Sequence, residues 1–93
     1  MFPNELDGAR VLYYTSQDNY GTIKYLNGEI AEYYHYLAIC KYLKDDNYYL
    51  FCCNENYEVV SDSVESSIED CMRVATWSYK ENIIWKEMTK LNF

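Results

Sequence analysis

Positively charged residues are few in this sequence. Its 93 residues hold eight Lys and Arg against fifteen Asp and Glu, and the net charge is -7. We therefore expect no nucleic-acid partner, because phosphate must be met by an excess of Lys and Arg. The same balance opposes binding to an anionic membrane surface, and no apolar run approaches the length needed to cross a bilayer.

The motifs that build most catalytic and metal sites are also missing. With three glycines and one proline, the chain has no phosphate-cradling loop, no calcium-loop pattern and no G-x-S-x-G elbow. Its one histidine, His35, follows Glu32 by three residues, a spacing that puts the two side chains on opposite sides of a strand. We expect no catalytic residue, no metal and no cofactor, hence no enzyme. A cleft that collected His35 with two carboxylates would reopen that question.

The cysteines do not form a metal or redox motif. The four cysteines are Cys40, Cys52, Cys53 and Cys71, and no two of them form a C-x-x-C pair. Cys52 and Cys53 are adjacent, so on a strand they point to opposite faces. The opening MFPNELDGAR has neither the basic nor the apolar segment of a signal peptide, so a cytoplasmic location with free, mostly core-filling thiols is expected. Residues 1–93 should form one domain, because so short a chain cannot build two cores.

Negative charge is concentrated in residues 45–72, DDNYYLFCCNENYEVVSDSVESSIEDCM. This acidic segment holds eight carboxylates and no Lys, Arg or His, whereas the rest of the chain holds seven acids and eight bases. A solvated face that keeps the protein soluble is the simpler interpretation. Ordinary surfaces mix the two signs, however, which limits self-repulsion, so a one-sign segment of this length also indicates a cationic partner.

Aromatic and β-branched runs predict an antiparallel sheet. The expected strands lie at 9–15, 21–26, 29–33, 35–43, 48–53 and 57–64, after a frayed lead-in at 1–8. Asn27-Gly28 predicts a type I′ hairpin turn, since both central positions need positive φ. Helical spacing of Ile30, Tyr33 and Leu37 leaves a helix as the alternative for the first part of 29–43. Residues 48–53 have no polar side, which indicates a central strand covered on both faces.

One helix is predicted at about 67–80. Ser66-Ser67-Ile68-Glu69 has the form of a capping box, in which the first serine caps the helix and Glu69 reaches back to it. An apolar stripe follows at helical spacing: Ile68, Cys71, Met72, Ala75 and Tyr79. After Lys80 three outcomes stay open: a short second helix over Ile84, Met88 and Leu91, one bent helix to about Leu91, or a loop across the end of the sheet.

The fold class expected from these elements is α+β. An antiparallel meander of four or five strands would carry the main C-terminal helix on one face. The acids would then gather at two hairpin tips, on the last strand and in the first helical turn, with tyrosines among them. Carboxylates steer a cationic partner and aromatic rings anchor it. The expected partner-binding residues are Glu55, Glu58, Asp62, Glu65, Glu69, Asp70, Tyr49, Tyr57 and Trp77.

Two segments resemble a group of small bacterial proteins: YYHYLAICKY (33–42) and YYLFCCNENYEVVSDSVESSIEDCMRVATWSY (48–79). The shared features are a YLAI-type strand, a YYLF-C strand, an acidic turn before an aromatic-x-V-V strand, and a D-S-I-E-E-like helix start. Proteins of this kind look like immunity proteins of bacterial toxin systems, including contact-dependent growth inhibition. The resemblance covers most of the chain, but its motifs are structural. Departures at Cys53, Tyr57 and Tyr79 should alter partner choice more than fold.

The resemblance and the charge together predict a cytoplasmic immunity protein that neutralises a cognate toxin domain by stoichiometric occlusion. The toxin would be a basic nuclease, because an acidic protein can mimic nucleic acid in its active site. The alternative is a small acidic adaptor, or a homodimer joined through its sheet edge and tyrosine surface. In either case the surface acids should be replaceable without unfolding, whereas Leu50, Val59 and Ile68 should not.

Overall fold

The computed structural model describes residues 1–89, which form eight strands and one helix. In chain order these are β1 (Glu5–Leu6), β2 (Ala9–Tyr14), β3 (Thr22–Lys24), β4 (Ile30–Tyr33), β5 (Tyr36–Lys41), β6 (Tyr48–Cys53), β7 (Val59–Glu65), α1 (Ile68–Ser78) and β8 (Lys86–Glu87). The main sheet has the order β1-β2-β5-β6-β7, and every pairing is antiparallel. The expected α+β class is confirmed.

Sequence neighbours build most of this sheet. β5, β6 and β7 follow one another through two short connections, residues 42–47 and 54–58, as the predicted meander requires. The predicted strands at 21–26 and 29–33 are strands but form a separate hairpin of β3 and β4, so β2 pairs directly with β5. The helical alternative for 29–43 is therefore wrong.

The sheet is buried on both faces. Successive strand residues point to opposite sides. One cluster, on the side that α1 covers, contains Leu37, Ile39 and Leu50 with Cys71 and Ala75 of the helix. We call this side the helix face. The other cluster is centred on Phe51, and we call its side the aromatic face; its remaining buried members are Phe2, Leu6, Ala9, Val11, Ala38, Cys40 and Cys53. The expectation that 48–53 is covered on both faces is confirmed.

The N-terminal residues are part of this core, so the predicted frayed lead-in at 1–8 is wrong. Phe2 and Leu6 are 7% and 5% exposed. β1 turns into β2 through Asp7 and Gly8, whose φ angles of 49° and 80° are those of a type I′ turn. A two-residue strand is too short to show periodicity, so the Asp7-Gly8 pair is the one sequence signal for β1.

Asn27 and Gly28 do lie in a hairpin loop, but the predicted type I′ turn is wrong. The Gly28 N–H donates to the Tyr25 carbonyl at 2.9 Å, and the Tyr25 N–H donates to the Glu29 carbonyl at 2.8 Å. Of the loop residues only Gly28 has positive φ, at 90°. This is a three-residue loop, a type I turn followed by a left-handed glycine, the next commonest hairpin connection after the two-residue turns.

The helix begins one residue later than the capping box predicts. Ser67, not Ser66, is the N-cap, and its Oγ accepts the Asp70 N–H at 3.0 Å. Asp70 therefore occupies the third helical position, and its carboxylate accepts the Ser66 hydroxyl at 2.7 Å. β7 ends at Glu65, so Ser66 and Ser67 form the connection between β7 and α1, and Ser67, the second of them, is the residue that caps the helix. The helix ends at Ser78 where about 80 was expected.

The segment after Lys80 is neither a helix nor a loop over the sheet end. It returns to the edge of the sheet as β8, where Glu87 and Lys86 pair with Tyr13 and Tyr14. The Met88 N–H extends this pairing to the Leu12 carbonyl at 2.9 Å. β8 thereby satisfies the backbone groups of β2 that the short β1 leaves open. The predicted endpoint at Leu91 lies outside the described residues.

All four cysteines are free and buried, as expected. Burial raises the pKa of the Cys52 thiol to about 11 and the pKa values of Cys53 and Cys71 to about 12. The pKa of Cys40 is raised by burial as well. Since the thiolate is the reactive form, these thiols should be inert while the protein is folded.

Alkylation measures that inertness. Incubation with iodoacetamide at about pH 8 should leave the folded protein unmodified by mass spectrometry, because only about one Cys52 thiol in a thousand is ionised there. The same reagent in guanidinium chloride should add four groups, one for each cysteine. Rapid labelling of any single cysteine in the native state would contradict the buried positions.

Candidate protein-binding surface

The aromatic face is the side of the sheet that carries no helix. Half-buried tyrosines lie on this side in β2, β5 and β6, just after β5 and in the loop before β7. In β2 a bulge between Val11 and Tyr13 brings the last tyrosine of the strand to this side. The five residues are Tyr14, Tyr36, Tyr42, Tyr49 and Tyr57. The sheet beneath them is sealed by Phe51 and by small buried residues such as Ala38. The result is a broad surface of rings whose hydroxyls can reach solvent.

The rings on this face form two groups. In the first, Phe2 stacks on Tyr14 with ring centroids 4.7 Å apart and meets the edges of Tyr36 and Tyr57. Tyr36 and Tyr57 stack on each other, also at 4.7 Å. The second group has Tyr42 edge-on to Tyr49 at 5.1 Å, with Tyr49 tilted against Phe51. Such contacts add stability beyond area burial and hold the rings in fixed positions.

Carboxylates lie next to both groups of rings. Asp45 accepts the Tyr49 hydroxyl at 2.7 Å, and Asp62 pairs across the strands with Phe51, which puts its side chain on the aromatic face. Glu55 lies close enough to Tyr36 to raise the pKa of its hydroxyl. The segment 45–72 contributes no Lys or Arg to this surface, and Lys41, which lies outside the segment, is the cation near Asp45.

The protonation states of these groups suit a cationic ligand. The hydrogen bond with Tyr57 and burial raise the pKa of Tyr36 to about 12. The hydrogen bond to Asp45 raises the pKa of Tyr49, and the Asn47 backbone N–H and Tyr49 lower the pKa of Asp45. Near neutral pH the surface therefore combines neutral hydroxyls with ionised carboxylates, which are the acceptors that Lys and Arg prefer.

Tyr57 holds its place on this surface in a conformation that favours glycine. Its φ is 63°, and its N–H donates to the Asn54 carbonyl at 3.1 Å, so Tyr57 occupies the same left-handed loop position as Gly28. A non-glycine residue there costs about 1–2 kcal/mol. The buried Asn54 stabilises the loop through hydrogen bonds to Asn56 and Glu58. The stack on Tyr36 offsets the strain and aims the ring at the aromatic face.

The nine predicted partner-binding residues divide between two sides of the molecule. Tyr49, Tyr57 and Asp62 lie on the aromatic face, and Glu55 lies beside it. Glu58 is at the adjoining hairpin, where the Asn54 amide donates to its carboxylate. The other four lie on the helix side: Glu65, Glu69, Asp70 and Trp77. No single partner surface therefore uses all nine.

The helix-side residues form a weaker acidic site. Asp70 is ion-paired with Arg73, and its hydrogen bonds to Ser66 and Arg73 lower its pKa, so part of its charge is already neutralised within the protein. Trp77 is 87% exposed and lies on the outer side of α1, two residues from the buried Ala75. It does not join the tyrosines of the aromatic face.

Sequence reasoning missed several residues of the aromatic face. Strand alternation could have assigned Tyr36 and Tyr42 to the side that carries Cys40, since β5 is regular. It could not have assigned β7, where a bulge between the pairs Cys52–Ser61 and Cys53–Val59 changes the register. Strict alternation would put Val60 on the same face as Asp62 and Val64, but because of the bulge Val60 packs on the helix face.

His35 lies away from this surface. It lines a hollow of about 250 Å³ with Gln17, whose side-chain amide is 3.2 Å from the His35 Nδ1, and with Asp18. Asp18 is the single carboxylate there, and it is ion-paired with Lys80. Within residues 1–89, no group of three His, Cys, Asp or Glu side chains could hold a metal ion. No helix of the described chain has the length and apolarity to span a membrane.

Comparison of the chain with protein-family models found no matching family. Comparison with curated proteins and with solved structures likewise found no match. The geometry of the aromatic face and its acids is therefore the basis on which a function can be argued.

Proposed function

We propose that this protein is an immunity protein that binds a basic toxin domain, a nuclease, and neutralises it by stoichiometric occlusion through the aromatic face. The observation that carries the proposal is the combination of fixed tyrosines with carboxylates on the helix-free side of the sheet. The resemblance of residues 33–42 and 48–79 to immunity proteins supports the same class. The proposed inhibitor is cytoplasmic and has no catalytic role of its own.

The two kinds of side chain have separate tasks in this proposal. Asp45, Glu55 and Asp62 attract the cationic partner and speed its approach, an effect that salt weakens. The tyrosines lose little conformational entropy on binding because their neighbours already hold them, so they act as anchors. A nuclease must present cations to bind phosphate, and those cations are the complement of this surface.

The aromatic face is a better site than the helix side for two reasons. Its acids have aromatic neighbours that would exclude water once a partner covers them, and this would strengthen the interaction of the acids with a cation. On the helix side, Arg73 already competes for Asp70. We therefore assign Glu65, Glu69, Asp70 and Trp77 a secondary role at the rim or none in the complex.

A pair of matched double variants tests this assignment. The candidate toxin is the basic toxin domain encoded next to the chain's own gene. The variant Glu55→Lys with Asp62→Lys reverses two exposed acids at the aromatic face. The variant Glu69→Lys with Glu81→Lys reverses two exposed acids away from that face, one in the first turn of α1 and one just after its end. Both variants change the net charge equally, so any difference between them reports position and not total charge.

We expect the aromatic-face variant to bind the toxin at least about a hundredfold more weakly in low salt, since like charges across an interface cost several kcal/mol. The Glu69→Lys and Glu81→Lys variant should lose less than about tenfold and should still protect cells that express the toxin. Calorimetry at two salt concentrations and a growth assay measure both effects. Equal losses in the two variants would contradict the assignment to the aromatic face, and a wild-type chain that neither binds nor protects would contradict the function.

A further inference from the structure

The outer edge of β7 is open. β7 is the last strand of the sheet order and pairs only with β6 among the described residues. At seven residues, Val59–Glu65, it is also the longest strand. At the opposite end of the sheet, β1 and β8 together cover the edge of β2. An unpaired strand of this length is a template on which another extended chain can add.

The backbone groups that face outwards on this edge follow from the neighbouring hydrogen bonds. The Cys53 carbonyl accepts the His35 N–H, so the backbone of Cys53 points away from β7. The backbone N–H and C=O groups of alternate residues in a strand point to the same side, so those of Phe51 and Tyr49 also point away from β7. Their partners across the ladder are Asp62 and Val64. The N–H and C=O groups of Asp62 and Val64 therefore point to the open edge.

The side chains of the same residues define what could bind there. Val59, Asp62 and Val64 all lie on the aromatic face, because they pair with Cys53, Phe51 and Tyr49. Val64 is 52% exposed, and Asp62 is exposed between the two valines. The edge thus presents an apolar, an acidic and an apolar side chain in succession. Asp62 and Val64 are at alternate positions, whereas the half-buried Val59 lies beyond the bulge. A segment with a basic residue opposite Asp62 and an apolar residue two positions away, opposite Val64, complements this edge.

A second copy of this chain does not complement it. Antiparallel self-pairing of β7 about its centre puts Asp62 opposite or diagonal to Asp62 of the other copy, with Glu58 and Glu65 nearby. Directly opposed like charges destabilise a strand pair, and charges on an edge strand oppose edge-to-edge association. Since residues 45–72 contain no cation, no register of β7 against itself brings opposite charges together.

We propose that the outer edge of β7 binds an extended, basic segment of the partner protein as an added antiparallel strand, with a Lys or Arg opposite Asp62. The identification of the toxin as the source of this segment rests on the proposed function. The added strand would extend the sheet and continue the aromatic face, so that edge and tyrosines form one interface.

A synthetic strand tests the edge without the toxin. The probe is a blocked heptapeptide, TVTKTVT, with TVTETVT as the matched acidic control. Amide hydrogen exchange of the labelled protein is followed by NMR. At a probe concentration ten times the dissociation constant, exchange at the Asp62 and Val64 amides should slow about tenfold, because a bound amide exchanges only in the free fraction. The acidic peptide should leave both rates unchanged.

The variant Val64→Pro removes one outward N–H without breaking the ladder to β6, so it should fold and bind the basic peptide at least about tenfold more weakly. Val64→Ala, its control, keeps the N–H and should bind within about threefold of wild type. Peptide binding that slows exchange elsewhere but not at Asp62 and Val64, or equal binding by both peptides, would overturn the edge proposal. Because the wild-type exchange pattern is itself a test, the proposal does not depend on the proline variant folding.

The toxin assays separate this proposal from the function. If Val64→Pro binds the toxin as wild type does while the Glu55→Lys and Asp62→Lys variant does not, the edge proposal is wrong and the function stands. If the basic peptide adds to the edge but the chain does not neutralise the toxin, the edge is confirmed and its natural source is another basic protein.

Discussion

The variant Leu50→Ala is expected to lose about 2–5 kcal/mol of unfolding free energy, the range measured for truncating buried leucines. Leu50 is 0% exposed in the centre of β6 and packs in the helix-face cluster with Ile39 and with Cys71 of α1. Leu50 packs between residues of the sheet and α1, so the backbone around it cannot move to fill the cavity that the Leu50→Ala variant would leave. Urea unfolding followed by circular dichroism measures the loss.

That loss is a large share of the stability of a small domain, which is roughly 5–15 kcal/mol in total. The control is Val64→Ala on the neighbouring strand, where the side chain is 52% exposed and the cost should stay below about 1 kcal/mol. A Leu50→Ala variant as stable as this control would contradict the position of β6 in the core. The acids beside Val64 should be replaceable at similarly small cost, as the sequence predicts.

Elements with a strong periodic pattern were predictable from the sequence. The absence of a polar side predicts a strand at 48–53, which is β6, and the apolar stripe after two serines predicts α1. Elements of two residues are too short for such a pattern, and only the Asp7-Gly8 turn points to one of them, β1. β1 and β8 have two residues each and exist because β2 offers them an unpaired edge, and no local pattern in Glu5–Leu6 or Lys86–Glu87 records that edge.

The binding surface was predictable in composition but not in arrangement. The acidic segment 45–72 is continuous in sequence, which suggested one surface. The fold passes it through β6, β7 and the start of α1, and the strand-to-helix connection carries the chain from the sheet onto its helix face. Asp45, Glu55 and Asp62 therefore lie beside the tyrosines, whereas Glu65 and the acids after it lie with the helix. Only the register of β7, with its bulge, decides where the division falls.

The acids on β7 also bear on how the open edge of the sheet is protected against pairing with another copy of the chain. Edge strands are usually protected by being short, covered or charged. β7 is long and uncovered in the described structure, so charge is the protection that it has left. In the proposed complex the same carboxylates that oppose self-pairing would also select a basic partner, so one set of residues would serve both purposes.

The N-terminal segment decides how much of the aromatic face is formed before any partner binds. Phe2 is 7% exposed and packs against Tyr14, Tyr36 and Tyr57. Its ring closes one end of the face and supports the stack that holds Tyr57 at positive φ. Removing it should therefore affect both stability and the geometry of the proposed anchors.

The variant Phe2→Ala should lose about 3 kcal/mol of unfolding free energy, the lower end of the range for truncating a buried phenylalanine, since Phe2 lies outside the strands and its surroundings can relax more than those of a residue inside a strand. Met1→Ala, next to it but fully exposed, should change stability by less than about 0.5 kcal/mol. Urea unfolding measures both, and near-ultraviolet circular dichroism reports the loss of ring packing. If Phe2→Ala kept the wild-type stability and aromatic signal, Tyr36 and Tyr57 would hold their stack without the N-terminus, and the anchors would be preorganised by β5 and the 54–58 loop alone.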